Sequence, residues 1–300
     1  MKKTLALLLT TLATPALAQV PQVVTDIPPV DSLVRQVMGH LGAPDLLLEQ
    51  GANAHDFQLR PSQARSLQGA GLLVWIGPEM TPWLDRAAQG LTPGAELRLL
   101  ALPETFTRGY GADEAHDHDH HHDHSHDGTD PHVWLDPHNA AIWLDAIADA
   151  LGSLDPENAA TYAANAATAK DRLSALDTEI SARLAPFGDR HYVVFHDAYG
   201  YFTAHYGLKP ALAVSLGDAS DPSAARLRAI QARIAEEKVT CAFPEANHNP
   251  ALVERVIEGS DVRLGAALDP EGAQITPSAT LYAELLGNMA TAFEQCLSAD

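Results

Sequence analysis

The sequence predicts an α/β protein of two lobes, each with a mostly parallel sheet flanked by helices, joined by one long rigid helix. Three observations predict it. Short apolar runs alternate with amphipathic helical patterns, which is the grammar of βαβ units. The alternation occurs twice, in two halves with similar order but no obvious sequence repeat. Between them, residues 155–186 read as one Ala-rich helix that Asp155 caps, Pro156 opens and Pro186 ends. At 1.5 Å per residue that helix spans roughly 45 Å, longer than a crossover needs. A helical hairpin broken near Ala167 is the competing reading.

Each element follows in order. In the first half, strands are expected at 22–25, 45–49, 72–77 and 97–102, with helices at 30–38, 62–69 and 82–88. Asp136 caps a further helix, with Pro137 at its first position, running to about Leu151. In the second half, a strand at 192–195 ends in His196-Asp197, and strands follow at 211–216, 239–243 and 262–266. Helices are expected at 222–237, 250–258 and 277–296. The lobes are thus 19–154 and 187–300, with 155–186 between them.

Residues 1–18 have the pattern of a secretory signal peptide. Lys2 and Lys3 precede an apolar run at 5–12, and Ala16-Leu17-Ala18 supplies the small residues of a cleavage site. The apolar run is far shorter than the ~20 residues of a spanning helix. No cysteine stands near the cleavage point, so no lipid anchor is expected there. The mature chain, from Gln19, is expected to be soluble in the periplasm. Its two cysteines, Cys241 and Cys296, read as a disulfide in that oxidising compartment.

The formal charge is −20, and −22 after loss of Lys2 and Lys3, with 17 basic residues against 39 acidic ones. So acidic a chain excludes nonspecific binding to nucleic acid or anionic lipid. It attracts cations, although solubility alone would explain the charge equally well.

The chemistry concentrates in histidine. Residues 116–127 read HDHDHHHDHSHD. His116, His118, His120, His121, His122, His124 and His126 stand there among acids, with no apolar residue to build a core. Imidazole and carboxylate suit zinc, copper or nickel, so a mobile loop at 115–128 with weak, exchangeable sites is expected. A single defined site needs ligands fixed by the fold. His55 follows the second strand, His132 lies just beyond the His-rich segment, and His196 ends a strand. Ligands of open α/β sheets collect at the carboxyl ends of strands, which places a metal in the cleft between lobes. Taken singly, each His could equally be structural.

Four segments carry a resemblance that decides among them. GANAHDFQLRPSQ, DPHVWLDP, FHDAYGYF and the late Leu268-Asp269-Pro270-Glu271-Gly272 resemble the metal-binding substrate-binding proteins of ABC importers, most closely the ZnuA-type zinc members. The likeness covers the mature chain and agrees with two lobes on one long helix. It implies that His55, His132 and His196 bind Zn2+ and that the family's fourth, carboxylate position falls on Asp269, with water as the alternative. Some zinc members use an acid just before the first His, but here that residue is Ala54. Manganese members carry Glu where this chain has His196, and three imidazoles favour zinc. Asp136, Asp197 and Glu245 are candidates to orient the imidazoles. His138 is set aside because it starts a helix, and His40, His191, His205 and His248 read as ordinary surface or partly packed residues.

The implied function is high-affinity zinc capture in the periplasm and delivery to an ABC-type permease, by a monomer that is no enzyme. The His-rich loop would collect zinc or sense its excess, and an accessory periplasmic zinc-binding protein is a possible further partner. Two other readings stand beside it. One is a periplasmic zinc buffer or chaperone that meets no permease. The other is a zinc hydrolase, since three His with an open fourth position also activate water.

Overall fold

The computed structural model describes residues 20–55, 57–109, 128–215 and 222–298. The expected signal peptide, Asp56 and His116–His126 lie outside the described residues. No helix among the described residues is long and apolar enough to cross a membrane.

The first lobe contains β1 (Val23–Thr25), α1 (Pro28–Met38), β2 (Asp45–Leu46), α2 (Pro61–Gly69), β3 (Leu72–Trp75), α3 (Pro82–Leu91) and β4 (Ala95–Arg98). Its sheet is parallel, in the order β2-β1-β3-β4. Two helices follow, α4 (Pro137–Leu154) and α5 (Ala159–Leu184). The second lobe contains β5 (Tyr192–His196), α6 (Gly200–His205), β6 (Leu212–Ser215), α7 (Ala224–Glu236), β7 (Cys241–Phe243), α8 (Ala251–Ile257), β8 (Arg263–Leu264) and α9 (Leu281–Leu297). Its sheet is also parallel, in the matching order β6-β5-β7-β8. The inner strands β1, β3, β5 and β7 are buried along their whole length, as parallel strands covered on both faces must be.

In each sheet the winding reverses beside the first strand, between β1 and β3 and between β5 and β7. That is the point where ligands bind in open α/β sheets. In the first lobe Asp26 fills it. The Asp26 carboxylate accepts hydrogen bonds from the Ile27 and Ile76 amides at 2.8 and 3.0 Å. In the second lobe the same point carries His196, at the end of β5, and Glu245, just past β7.

The long helix is continuous, with no break near Ala167. It starts at Ala159 rather than Asp155. The Asp155 carboxylate accepts from Asn158 Nδ2 at 2.7 Å and Tyr162 Oη at 2.9 Å, so it holds side chains in the turn before the helix instead of a backbone amide. Along α5, Asn165 donates to the Val37 carbonyl of α1. Lys170 pairs with Asp145 of α4, and Arg183 pairs with Glu294 of α9. One apolar core runs from β1 and α1 through α4 and α5 to β5 and α9. Cys241 of β7 and Cys296 of α9 are disulfide-bonded, which fastens the last helix to the second sheet.

Candidate metal centre

Three imidazoles from distant parts of the chain converge between the lobes. His55 comes from the loop after β2, His132 from the residue before a short 3-10 turn at Val133–Leu135, and His196 from the end of β5. Their rings form a chain, with centroids 5.4 Å apart for His55 and His132 and 5.2 Å for His132 and His196. His132 and His196 are buried.

Two of the rings are locked from behind by carboxylates. Asp130 Oδ1 lies 2.7 Å from His132 Nδ1 and also accepts the His132 amide at 3.0 Å. Glu245 Oε2 lies 2.6 Å from His196 Nδ1 and accepts the Tyr199 hydroxyl at 2.7 Å. A carboxylate can only accept, so each Nδ1 carries the proton and each Nε2 presents its lone pair. Those two Nε2 atoms face each other at 3.4 Å. Donors on a tetrahedral ion with bonds of about 2.0–2.1 Å stand roughly 3.3–3.4 Å apart. The His132–His196 pair therefore already has the span of two ligands on one ion. Among the described residues, no group of three or more His, Cys, Asp or Glu is close enough together to hold an ion as it stands.

The late turn supplies carboxylates. Both Asp269 oxygens face its own backbone, accepting the Ala273 and Gln274 amides at 2.9 Å each. Glu271 instead reaches the first lobe. Its Oε1 lies 3.9 Å from His55 Nε2, and its Oε2 accepts the Ala54 amide at 3.4 Å. Burial pushes the Glu271 carboxyl up to about 7, against the pull of nearby His55. Burial likewise raises the Asp197 carboxyl, with the neighbouring Asp130 adding to it. A small cavity of about 10 Å³ adjoins the turn, lined by Asn53 of the first lobe and by Glu245, His248, Asp269 and Glu271 of the second, among others.

The profile of a family described as "Zinc-uptake complex component A periplasmic" matches residues 23–296. The chain belongs to this family. It is 58% identical to the "High-affinity zinc uptake system protein ZnuA" of Paracoccus denitrificans (strain Pd 1222), over 99% of this chain and 98% of that one. It is 37% identical to the protein so named from Brucella suis biovar 1 (strain 1330), over 92% of this chain and 91% of that one. A solved Mn-bound periplasmic metal binding protein from candidatus liberibacter asiaticus shares the fold, with a TM-score of 0.77 at 20% identity, covering 92% of this chain and 99% of that one.

In this zinc-uptake component the sequence-predicted residues divide. His55, His132 and His196 come together, and Glu245 orients a ring. Asp136 does not. It caps α4 by accepting the His138 amide at 2.8 Å and pairs with His205 Nδ1 at 3.1 Å. His205 is more than a surface residue, because its Nε2 also meets Asp177 of α5 at 2.7 Å. His248 packs on the Phe195 ring at 4.3 Å and lies 3.4 Å from Glu245. Sequence reasoning passed over Asp130 and Glu271. Asp130 carried a readable signal, since an Asp two residues before a His can hold both its amide and its ring. The two ends of the His-rich insert are fixed beside the site. Gly109 and Thr129 form an antiparallel bridge, and the Asp130 amide donates to the Arg108 carbonyl at 2.9 Å.

Proposed function

We propose that this protein captures zinc in the periplasm through His55, His132 and His196 and delivers it to an ABC-type permease in the inner membrane. The observation that carries the reading is the His132–His196 pair. Two Nε2 lone pairs stand at tetrahedral ligand spacing, each backed by a carboxylate that fixes its tautomer. Neutral imidazoles backed this way are strong zinc ligands, and manganese prefers harder oxygen donors. A carboxylate of the 269–272 turn completes the shell, and Asp269 is the position that family resemblance nominates. The site binds rather than catalyses. Asp130 and Glu245, the carboxylates hydrogen-bonded to the imidazoles, are committed to ring nitrogens, and the family match is to a zinc-uptake component.

The protein acts as a monomer, exported by a signal peptide cleaved after residue 18 and carrying no lipid. His116–His126 serve as auxiliary weak sites that collect zinc or sense its excess, in some cells alongside an accessory periplasmic zinc-binding protein. The test is zinc content and chelator competition on untagged protein. One tight zinc per chain is expected, lost in His132→Ala and His196→Ala and kept when residues 115–127 are deleted. Tight binding that disappears with the insert would overturn the assignment. Zinc uptake by a deletion strain in zinc-poor medium separates delivery from buffering.

A further inference from the structure

We propose that Glu271, not Asp269, is the fourth ligand of the captured ion, so that the bond closing the site links His55 of the first lobe to a carboxylate of the second. The proposal rests on the zinc-capture reading above and deepens it.

The two acids leave the same turn in different directions. Asp269 holds that turn together, with each oxygen accepting a backbone amide at 2.9 Å. To bind an ion it would release amides that have been taken out of water, and losing such bonds is costly. Glu271 has weaker commitments. The hydrogen bond it accepts from the Ala54 amide is long at 3.4 Å, and long bonds are weak. Its other oxygen already stands 3.9 Å from His55 Nε2. Closing that gap to the roughly 3.3–3.4 Å of two donors on one tetrahedral zinc needs a shift of about half an ångström.

The backbone holds Glu271 in this position. Gly272 adopts φ 68, and a Cβ there would meet Leu281 Cδ2 at 3.0 Å, so only glycine lets the turn lie this close to α9. Trp134 Nε1 donates to the Pro270 carbonyl at 2.8 Å, and the Gly51 amide donates to the Ala273 carbonyl at 3.0 Å. The turn is therefore pinned to the first lobe on both sides of Glu271. Its carboxylate points across the cleft at the His55 imidazole.

The test uses the full chain loaded with zinc for chelator competition and with cobalt for its visible spectrum. Glu271→Gln should weaken zinc binding at least tenfold and shift the cobalt bands. Asp269→Asn loses one of the two acceptors that hold the turn, so affinity should fall less than in Glu271→Gln and the bands should stay in place. Glu271→Asp, which keeps the charge on a shorter arm, should fall between, and far-UV dichroism of each metal-free variant checks its fold. Wild-type affinity and spectrum in Glu271→Gln, or the band shift appearing in Asp269→Asn instead, would overturn the proposal and leave the three-His site standing. Retained tight binding in His132→Ala would instead sink the capture reading itself.

Discussion

Glu245 and His196 meet at 2.6 Å across the switch point of the second sheet, with Tyr199 hydrogen-bonded to the same carboxylate oxygen. The pair decides which imidazole nitrogen faces the cleft. Replacing Glu245 with Gln keeps the shape but replaces the anion, and allows the amide to turn its NH2 toward Nδ1. Zinc affinity is expected to fall about 10–100-fold, the usual cost of losing a carboxylate behind a metal-ligating His. Chelator competition measures it. Asp130→Asn, behind His132, should give a loss of similar size.

Asp26 gives a pH dependence unrelated to metal. Burial raises its carboxyl from the ordinary 3.8 to about 7, despite hydrogen bonds from the Ile76 and Ile27 amides and Thr81. The fold therefore binds this proton more tightly than the unfolded chain does. The resulting stability is fully present below pH 3.8 and is lost as pH rises through about 7. A shift of that size amounts to about 4 kcal/mol. Asp26→Asn should flatten this part of the stability curve while lowering its absolute level, because an amide cannot accept all the donors a carboxylate accepts. Urea titrations of the metal-free protein at a series of pH values check this.

His205 works in the same direction at higher pH. Burial alone would lower its pKa, but Asp136 and Asp177 outweigh burial and raise it above 6.5. Its contribution is fully present below 6.5 and fades as pH passes the raised value. His205→Gln should therefore cost more stability at pH 6 than at pH 9. Since Asp136 belongs to the first lobe, Asp177 to the long helix and His205 to the second lobe, hydrogen exchange should rise on all three segments together.

The Cys241–Cys296 bond spans 55 residues. Breaking it should destabilise the protein by about 4 kcal/mol in the chain-entropy model. Equilibrium unfolding of the Cys241→Ala, Cys296→Ala double variant measures the loss. Zinc affinity should hold in native conditions, because neither sulfur touches the cleft.

Much of this architecture was legible in the sequence. Both sheets and the continuous α5 followed from apolar periodicity and helix caps, and strand-end placement with four motifs pointed to the cleft where His55, His132 and His196 stand together. What was misread has local causes. The edge strands β2 and β8 are two residues each, shorter than the apolar runs expected at 45–49 and 262–266. β4 lies earlier than expected, its register set by Leu72 against Ala95. Helix α6 went unseen because its six residues are too few to show a period. Asp136 looked like a residue that orients the site, but a cap and a second imidazole already engage it. Glu271 was overshadowed by Asp269, and no one-dimensional pattern says which acid of a turn faces inward.

The bridge between Gly109 and Thr129 separates two levels of description. Whatever residues 110–128 do, the chain re-enters the fold at a fixed point, Thr129, one residue before Asp130, the partner of His132. The insert can thus be lengthened, shortened or recomposed without altering the register of the cleft. On the proposed function, the insert would affect the tight site only through how many ions are nearby and for how long, and the shape of the cleft would set what is kept.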